Sequence, residues 1–437
     1  MLTDVKTETP PSTRYGWYVV FILVVAYTLS YIDRQILTLL VQPIKASLKI
    51  SDVQVSLLQG LAFAIFYTFL GIPIARLADR HKRTAIISVG ILVWSVMTAA
   101  CGLARNFGQL FTARVGVGVG EAALGPAAYS MIADYFPARK LAKALSVYTG
   151  AIYFGAGIAM LAGGALIGMV PATTLPGIGT MEPWQLVFVA VGVPGVLVAL
   201  LTASLREPRR TGVIAGDAFP SISEVARYVG ERRGCYAFLI LGFSASSLMW
   251  NGVTGWIPTH FIRTFGWTPA QVGLRYGMVL FFCGSAGIYG GGVLSGWLRE
   301  RGRIDSNLQL GMISAALAIP TGVLAPLMPT AGLSLFVYAL FVLAGSMPYG
   351  GAAAALQEIT PNRMRAQVTA IYFFGLNLAG IGIGPTVVAL FTDKVFHDEL
   401  MLRYSLAVTV MIGAPLCLLL LGLARKPYRK AFARFNG

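Results

Sequence analysis

Twelve runs of mainly apolar residues follow one another along the 437-residue chain, separated by short polar stretches. They fall at about 16–42, 54–77, 84–104, 108–136, 141–168, 184–205, 236–262, 270–298, 307–328, 332–357, 364–392 and 402–424. A helix of about 20 such residues crosses a bilayer. The runs are continuous rather than alternating, which sets aside a membrane β-barrel. The pattern predicts an all-α integral membrane protein of twelve transmembrane helices, numbered here 1 to 12.

The polar stretches divide the chain further. Residues 1–15 form a polar tail containing Pro10 and Pro11, and 425–437 form a basic tail. The run after the first tail is too long for a signal-peptide core and lacks a clear cleavage site, so it is expected to remain as helix 1. The longest loop, 206–235, separates an N-terminal six-helix bundle (16–205) from a C-terminal one (236–424). Within it "SISEVARYVGERR" opens on a capping pair, Ser221 and Glu224. Ile222, Val225, Ala226 and Val229 share a helical face, which predicts a short amphipathic helix on the cytoplasmic surface. A linker that merely tethers the halves is the alternative.

The halves echo each other. "ADYFPARKLAKALSVY" follows helix 4 and "QEITPNRMRAQVTAIY" follows helix 10, at an offset of 224 residues. Asp134 then matches Glu358, Pro137 matches Pro361, and Arg139 matches Arg363. "RLADRHKR" after helix 2 has its counterpart in "WLRERGR" after helix 8. Duplicated six-helix units are a common transporter construction, with the binding site between them near the bilayer midplane.

Composition agrees. Hydrophobic residues make up 56% of the chain and charged residues 12%, against about 25% charged in soluble domains. The formal charge of +16 would suit nucleic acid, but the charges sit in short loops and no stretch free of membrane helices could hold a binding module. They set topology instead. The loops on one side carry 25 Lys and Arg and those on the other carry 7. Positive loops stay in the cytoplasm, so both termini are expected there, and anionic lipid head groups are expected partners. Cys101, Cys235, Cys283 and Cys417 and the three histidines are too scattered to make a metal site. No nucleophile–base pair appears, so neither an enzyme nor a cofactor is expected.

Of the 18 acidic residues, Asp33 in "YIDRQ" and Glu121 lie near the centres of helices 1 and 4. Arg34 and Arg114 also lie within the membrane. A charge at that depth costs about 2.5–3.5 kcal/mol on insertion scales and persists when it faces a partner or a wet cavity. Arg114 and Glu121 are seven residues apart, nearly two turns, and share one face of helix 4. Asp33 and Glu121 are candidate proton-coupling groups, with a structural ion network as the alternative. Arg34 and Arg114 are candidates for binding an anion or for pairing with the acids. Helices 7, 10, 11 and 12 have no charged residues in their interiors and offer Trp250, Asn251, Tyr349, Tyr372, Phe373, Phe374 and Asn377. Trp250, Asn251, Tyr349 and Asn377, with Tyr153 of helix 5, complete the candidate substrate-binding set.

"ARLADRHKR" resembles the signature that follows helix 2 in the major facilitator superfamily: Asp79, Arg80 and Arg83 match, while Ala75 and Lys82 stand where glycines are usual. "YIDRQ" and "RVGVGVGEAALGPAAYSMIADYFP" resemble the Spinster-like branch, most specifically in the spacing of Arg114, Gly118, Gly120, Glu121 and Ala122. The resemblance implies two pseudo-symmetric bundles with helices 1 and 4 side by side at a central cavity. It implies a monomeric, proton-coupled secondary transporter, in the bacterial inner membrane, for an amphipathic anion such as a lysolipid or sphingoid phosphate. It also implies a cytoplasmic gate at Asp79, Arg80, Arg83, Asp134 and Arg139, with Glu300, Arg301, Glu358 and Arg363 as second-half counterparts. A symporter of small soluble organic anions is the nearest alternative, and a non-transporting receptor or scaffold an alternative of another class.

Overall fold

Charged and proline-bearing breaks end each apolar run, and the runs fold as helices. The computed structural model describes residues 13–169, 173–175, 179–208, 210, 221–349 and 351–436. In the first half, helix 1 is Thr13–Leu39 and helix 2 is Asp52–Gln59 followed by Leu61–Arg80. Helix 3 is Arg83–Cys101, helix 4 is Phe107–Glu121 followed by Leu124–Tyr135, helix 5 is Ala138–Met169, and helix 6 is Pro183–Ala203. The second half begins with helix 7, Arg233–Phe265; helix 8 runs from Pro269 to Glu300 through a π segment, Leu280–Gly284. Helix 9 is Ser306–Leu324 and helix 10 is Ala331–Ser346 followed by Gly351–Gln357. Helix 11 starts at Arg365 and contains the π segments Leu378–Ile383 and Phe391–Phe396, and helix 12 is Leu402–Asn436.

Eleven of these, among the described residues, are long and apolar enough to cross a membrane as unbroken spans. Helix 4 crosses in two pieces, because its backbone breaks at Ala122 and Ala123, directly after Glu121. The basic segment 425–437, expected as a tail, continues helix 12 as far as Asn436. A short antiparallel hairpin pairs Thr173–Leu175 with Gly179–Met181. In the linker, Ile222–Glu231 is a helix whose capping box joins Ser221 and Glu224. Its Val225 is buried and its Tyr228 hydroxyl donates to the carbonyl of Ile359, so the helix packs on the second half.

Within the halves, helix 3 packs on helix 6, and helix 12 on helices 7 and 9. Between the halves, helix 5 meets helix 8 and helix 2 meets helix 11. Small residues make the tight approaches possible. A Cβ at Gly120 would lie 2.7 Å from the carbonyl oxygen of Gly90, so helices 3 and 4 touch backbone to backbone. That contact fixes the depth and rotation of helix 4, and with them the positions of Arg114 and Glu121.

An even number of crossings puts both ends of the described chain on one face, called proximal here, and leaves the other face distal. The halves are clamped together at the distal face. Asp52 of helix 2, fully buried, accepts bonds from both terminal nitrogens of Arg263 of helix 7, at 2.6 and 2.7 Å, and from Lys45. Lys45 also reaches Glu399 at 2.7 Å, which lies 3.1 Å from Arg263. Nearby, the Val53 amide donates to Asp393 at 2.8 Å, and the Ser56 hydroxyl donates to Thr386 at 3.2 Å. On the sequence alone Asp52, Asp393 and Glu399 fall in the loops between apolar runs. Asp52 with Arg263, Lys45 with Glu399 and the Val53 amide with Asp393 join across the two halves, so no local pattern marks these contacts.

Candidate functional site

Helix 1 carries Asp33 and Arg34 as neighbours, and adjacent helical residues point about 100° apart. The two side chains therefore take different partners. Asp33 accepts from Arg114 of helix 4 at 2.8 Å and from the Thr98 hydroxyl of helix 3 at 2.8 Å. Asp33 is 2% exposed and Arg114 1%. Arg34 donates through Nε to Glu121 of helix 4 at 2.7 Å, with a second bond from Nη2. The Ser30 hydroxyl donates to the same carboxylate oxygen at 2.6 Å. The guanidinium of Arg34 also lies over the rings of Phe63, Tyr67 and Tyr31, at 4.4, 5.0 and 5.4 Å. Such faces favour a cation, and more so away from water. Two buried ion pairs thus tie helix 1 to helix 4.

A cavity of about 150 Å³ lies between the halves, lined by Tyr31, Arg34, Gln35, Gln59 and Phe63 from the first half and by Trp250, Asn251, Thr254 and Tyr349 from the second. Of the sequence-derived candidates, the structure brings Arg34, Trp250, Asn251 and Tyr349 together there. Asp33, Glu121, Arg114 and Asn377 are not among its lining residues. Arg114 is buried away from the cavity lining, held by Asp33 at 2.8 Å and by the Leu58 carbonyl of helix 2 at 3.4 Å. Trp250 stacks on Phe341 with ring centroids 5.5 Å apart, and the Asn251 amide donates to the Ser247 carbonyl at 2.9 Å. Tyr153 belongs to helix 5, with its side chain outside the described residues. Ser30, Thr98, Phe63 and Tyr67 were not singled out from the sequence, since lone hydroxyls and aromatics are common in membrane helices.

The proximal-face candidates pair within their own halves. Arg83 is 2% exposed and binds Asp134, Glu207 at 2.7 Å and Ser130 at 2.8 Å. Burial raises the Glu207 carboxyl, but the bonds from Arg83 and the Thr84 amide outweigh it and hold the group below the usual carboxylate range. In the second half Glu358 binds Arg299 and accepts from the Tyr428 hydroxyl at 2.6 Å. Asp305, fully buried, accepts from Arg425 at 2.6 Å and Arg429 at 2.9 Å. Its burial is likewise outweighed by those bonds and the one from Gln309, leaving it below its ordinary range. Arg80, Glu300, Arg301 and Arg363 are exposed. The side chains of Asp79 and Arg139 lie outside the described residues. Among the described residues, then, ion pairs cross between the halves at the distal face and stay within each half at the proximal one. The four cysteines are free, and no group of metal-ligating residues occurs among the described residues.

Comparison with known proteins agrees with this architecture. A sequence model of the Major Facilitator Superfamily matches residues 23–385. An MFS-type efflux pump of Mycolicibacterium smegmatis is 28% identical, covering 88% of this chain and 86% of that one. The probable galactarate/D-glucarate transporter of Bacillus subtilis is 25% identical, covering 69% and 70% of the two chains. A bacterial homologue of the human lysosomal transporter Spinster, solved in an inward-facing, unoccupied conformation, superimposes with a TM-score of 0.80 at 28% identity, over 97% of this chain and 98% of that one.

Proposed function

From the premise that the chain belongs to the Major Facilitator Superfamily, we propose that it moves an amphipathic anion, such as a lysolipid or sphingoid phosphate, by alternating access coupled to protons. The single observation that carries this reading is Arg34. Its guanidinium stands in the cavity wall while both of its described bonds go to one carboxylate, Glu121. With Glu121 ionised the pair carries no net charge. An anion entering the cavity competes with Glu121 for the guanidinium, and a proton on Glu121 releases Arg34 to it. Substrate binding and protonation are thereby linked through one side chain. Asp33 and Arg114 form a second pair between helices 1 and 4, where the same exchange alters how the two helices hold together.

The apolar and aromatic second-half wall, Trp250 and Tyr349 with Phe341 behind, suits an acyl chain or a sugar face. The small cavity and the likeness to a sugar-acid transporter support a second reading, a small soluble organic anion as substrate. By the Lys and Arg distribution the proximal face is cytoplasmic, which makes the clamped distal face external and this conformation inward-facing. A monomer in the bacterial inner membrane completes the reading.

Uptake by proteoliposomes under an imposed pH gradient tests it, with D-glucarate and a fluorescent lysophosphatidate as probes. Gradient-driven accumulation of one probe by the wild type, lost in Glu121→Gln, is the expected result. Accumulation indifferent to the gradient, or retained in full by Glu121→Gln, contradicts the proton role.

A further inference from the structure

Gln59 ends the first segment of helix 2, where the chain bends at Gly60. It lines the same central cavity as Arg34, one helical turn before Phe63, whose ring centroid lies 4.4 Å from the Arg34 guanidinium. Both polar atoms of its amide, Nε2 and Oε1, are buried and meet no hydrogen-bond partner. Helix 7 passes close by: a Cβ on Gly255 would lie 3.8 Å from Oε1. Three other polar cavity side chains differ. Thr254 donates to the Trp250 carbonyl at 2.7 Å, Thr38 to the Gln35 carbonyl at 2.7 Å, and Asn251 to Ser247. Tyr276 shares the orphaned state, but a hydroxyl needs only one partner of either kind. An amide needs a donor for its oxygen and an acceptor for its NH2. Buried polar groups in folded proteins are almost always paired, so an amide held this way awaits a partner that completes it.

We infer that Gln59 is the specificity residue for a hydroxyl group next to the anionic charge of the substrate. This rests on the reading of Arg34 as the anion site. A bare carboxylate or phosphate can only accept, so it would satisfy Nε2 and leave Oε1 orphaned. A hydroxyl both donates and accepts, and one placed beside the anion on Arg34 completes the amide. The cavity, at about 150 Å³, holds a head group of that kind. Two sources carry this chemistry, a hydroxylated lipid phosphate and a sugar acid. A site built to bond a hydroxyl rejects the analogue lacking it strongly, because its own polar groups are then left unpaired.

The test uses two matched pairs of probes on the full-length protein in nanodiscs, with affinity read by titration calorimetry. The lipid pair is dodecyl lysophosphatidate and dodecyl phosphate; the soluble pair is D-glucarate and adipate. In the pair that matches the natural source, the wild type binds the hydroxylated member about tenfold tighter or more. Gln59→Leu and Gln59→Met abolish that preference by weakening the hydroxylated probe alone, whereas Arg34→Ala weakens both members. Equal affinity of the wild type for both members of each pair overturns the role of Gln59, and needs no variant to fold. So does a preference that survives in Gln59→Met. Binding by the wild type that is insensitive to Arg34→Ala sinks the anion reading instead, and absence of binding by all four probes sinks both.

Discussion

Asp33 and Arg34 stand side by side because each answers a different neighbour. The Asp33–Arg114 pair is buried on both sides, and removing one partner of such a pair costs about 3–5 kcal/mol through the charge left behind. Arg114→Ala is therefore expected to lower the melting temperature sharply. Adding Asp33→Asn to that variant should recover most of the loss, since Asn still accepts from Thr98 and carries no charge. A double variant as unstable as the single one would mean that Arg114 supports the fold by packing. Much of this was legible in the sequence, because a charge in an apolar run is conspicuous. Which acid pairs with which arginine was not, since one residue of rotation on helix 1 decides it. Gln59 gave no signal, as its meaning lies in the absence of a partner.

At the scale of the helices, the distal clamp and the bend at Gly60 belong together. A Cβ at Gly60 would lie 2.7 Å from the carbonyl oxygen of Gly382, across the boundary between halves. Gly60→Val should leave each half folded but prevent distal closure, and so abolish transport. Accessibility of a cysteine at Gln42 to an impermeant reagent reads this out, and unchanged accessibility would count against it. The extension of helix 12 makes a different kind of contact. Asp305 lies below its ordinary range when folded, so the stability it adds is full above the unfolded value, about pH 4, and is lost as pH falls through the folded one. Asp305→Asn should cost about 1–3 kcal/mol at neutral pH, towards the lower end because Arg425 and Arg429 are 33% and 46% exposed. The gap in melting temperature between variant and wild type should hold above about pH 5 and narrow below about pH 4. A gap that widens in acid would reverse the assignment. Apolar runs gave the helices to within a few residues, yet the sequence could not announce that the basic tail stays helical, because Asp305 lies 120 residues away from Arg425.

On the scale of the whole molecule, the repeat made the two-bundle architecture readable before any contact was known. The pairing of charges across the halves was not readable, because it depends on which face is closed. The excess of Lys and Arg on the proximal face predicts that cysteines placed at Thr7 and Asn436 are shielded from an impermeant reagent in intact cells. Labelling of either one would invert the map. Above all, protonation of Asp33 and Glu121 is proposed to set the balance between the two access states. Distances between spin labels at Lys140→Cys and Arg363→Cys, in a background lacking the four native cysteines, measure that balance at the proximal face as pH is varied. The expected distance distribution shifts with pH in the otherwise native protein and stands still in Asp33→Asn/Glu121→Gln. A shift that survives in the double variant, or a native distribution that ignores pH, would contradict it.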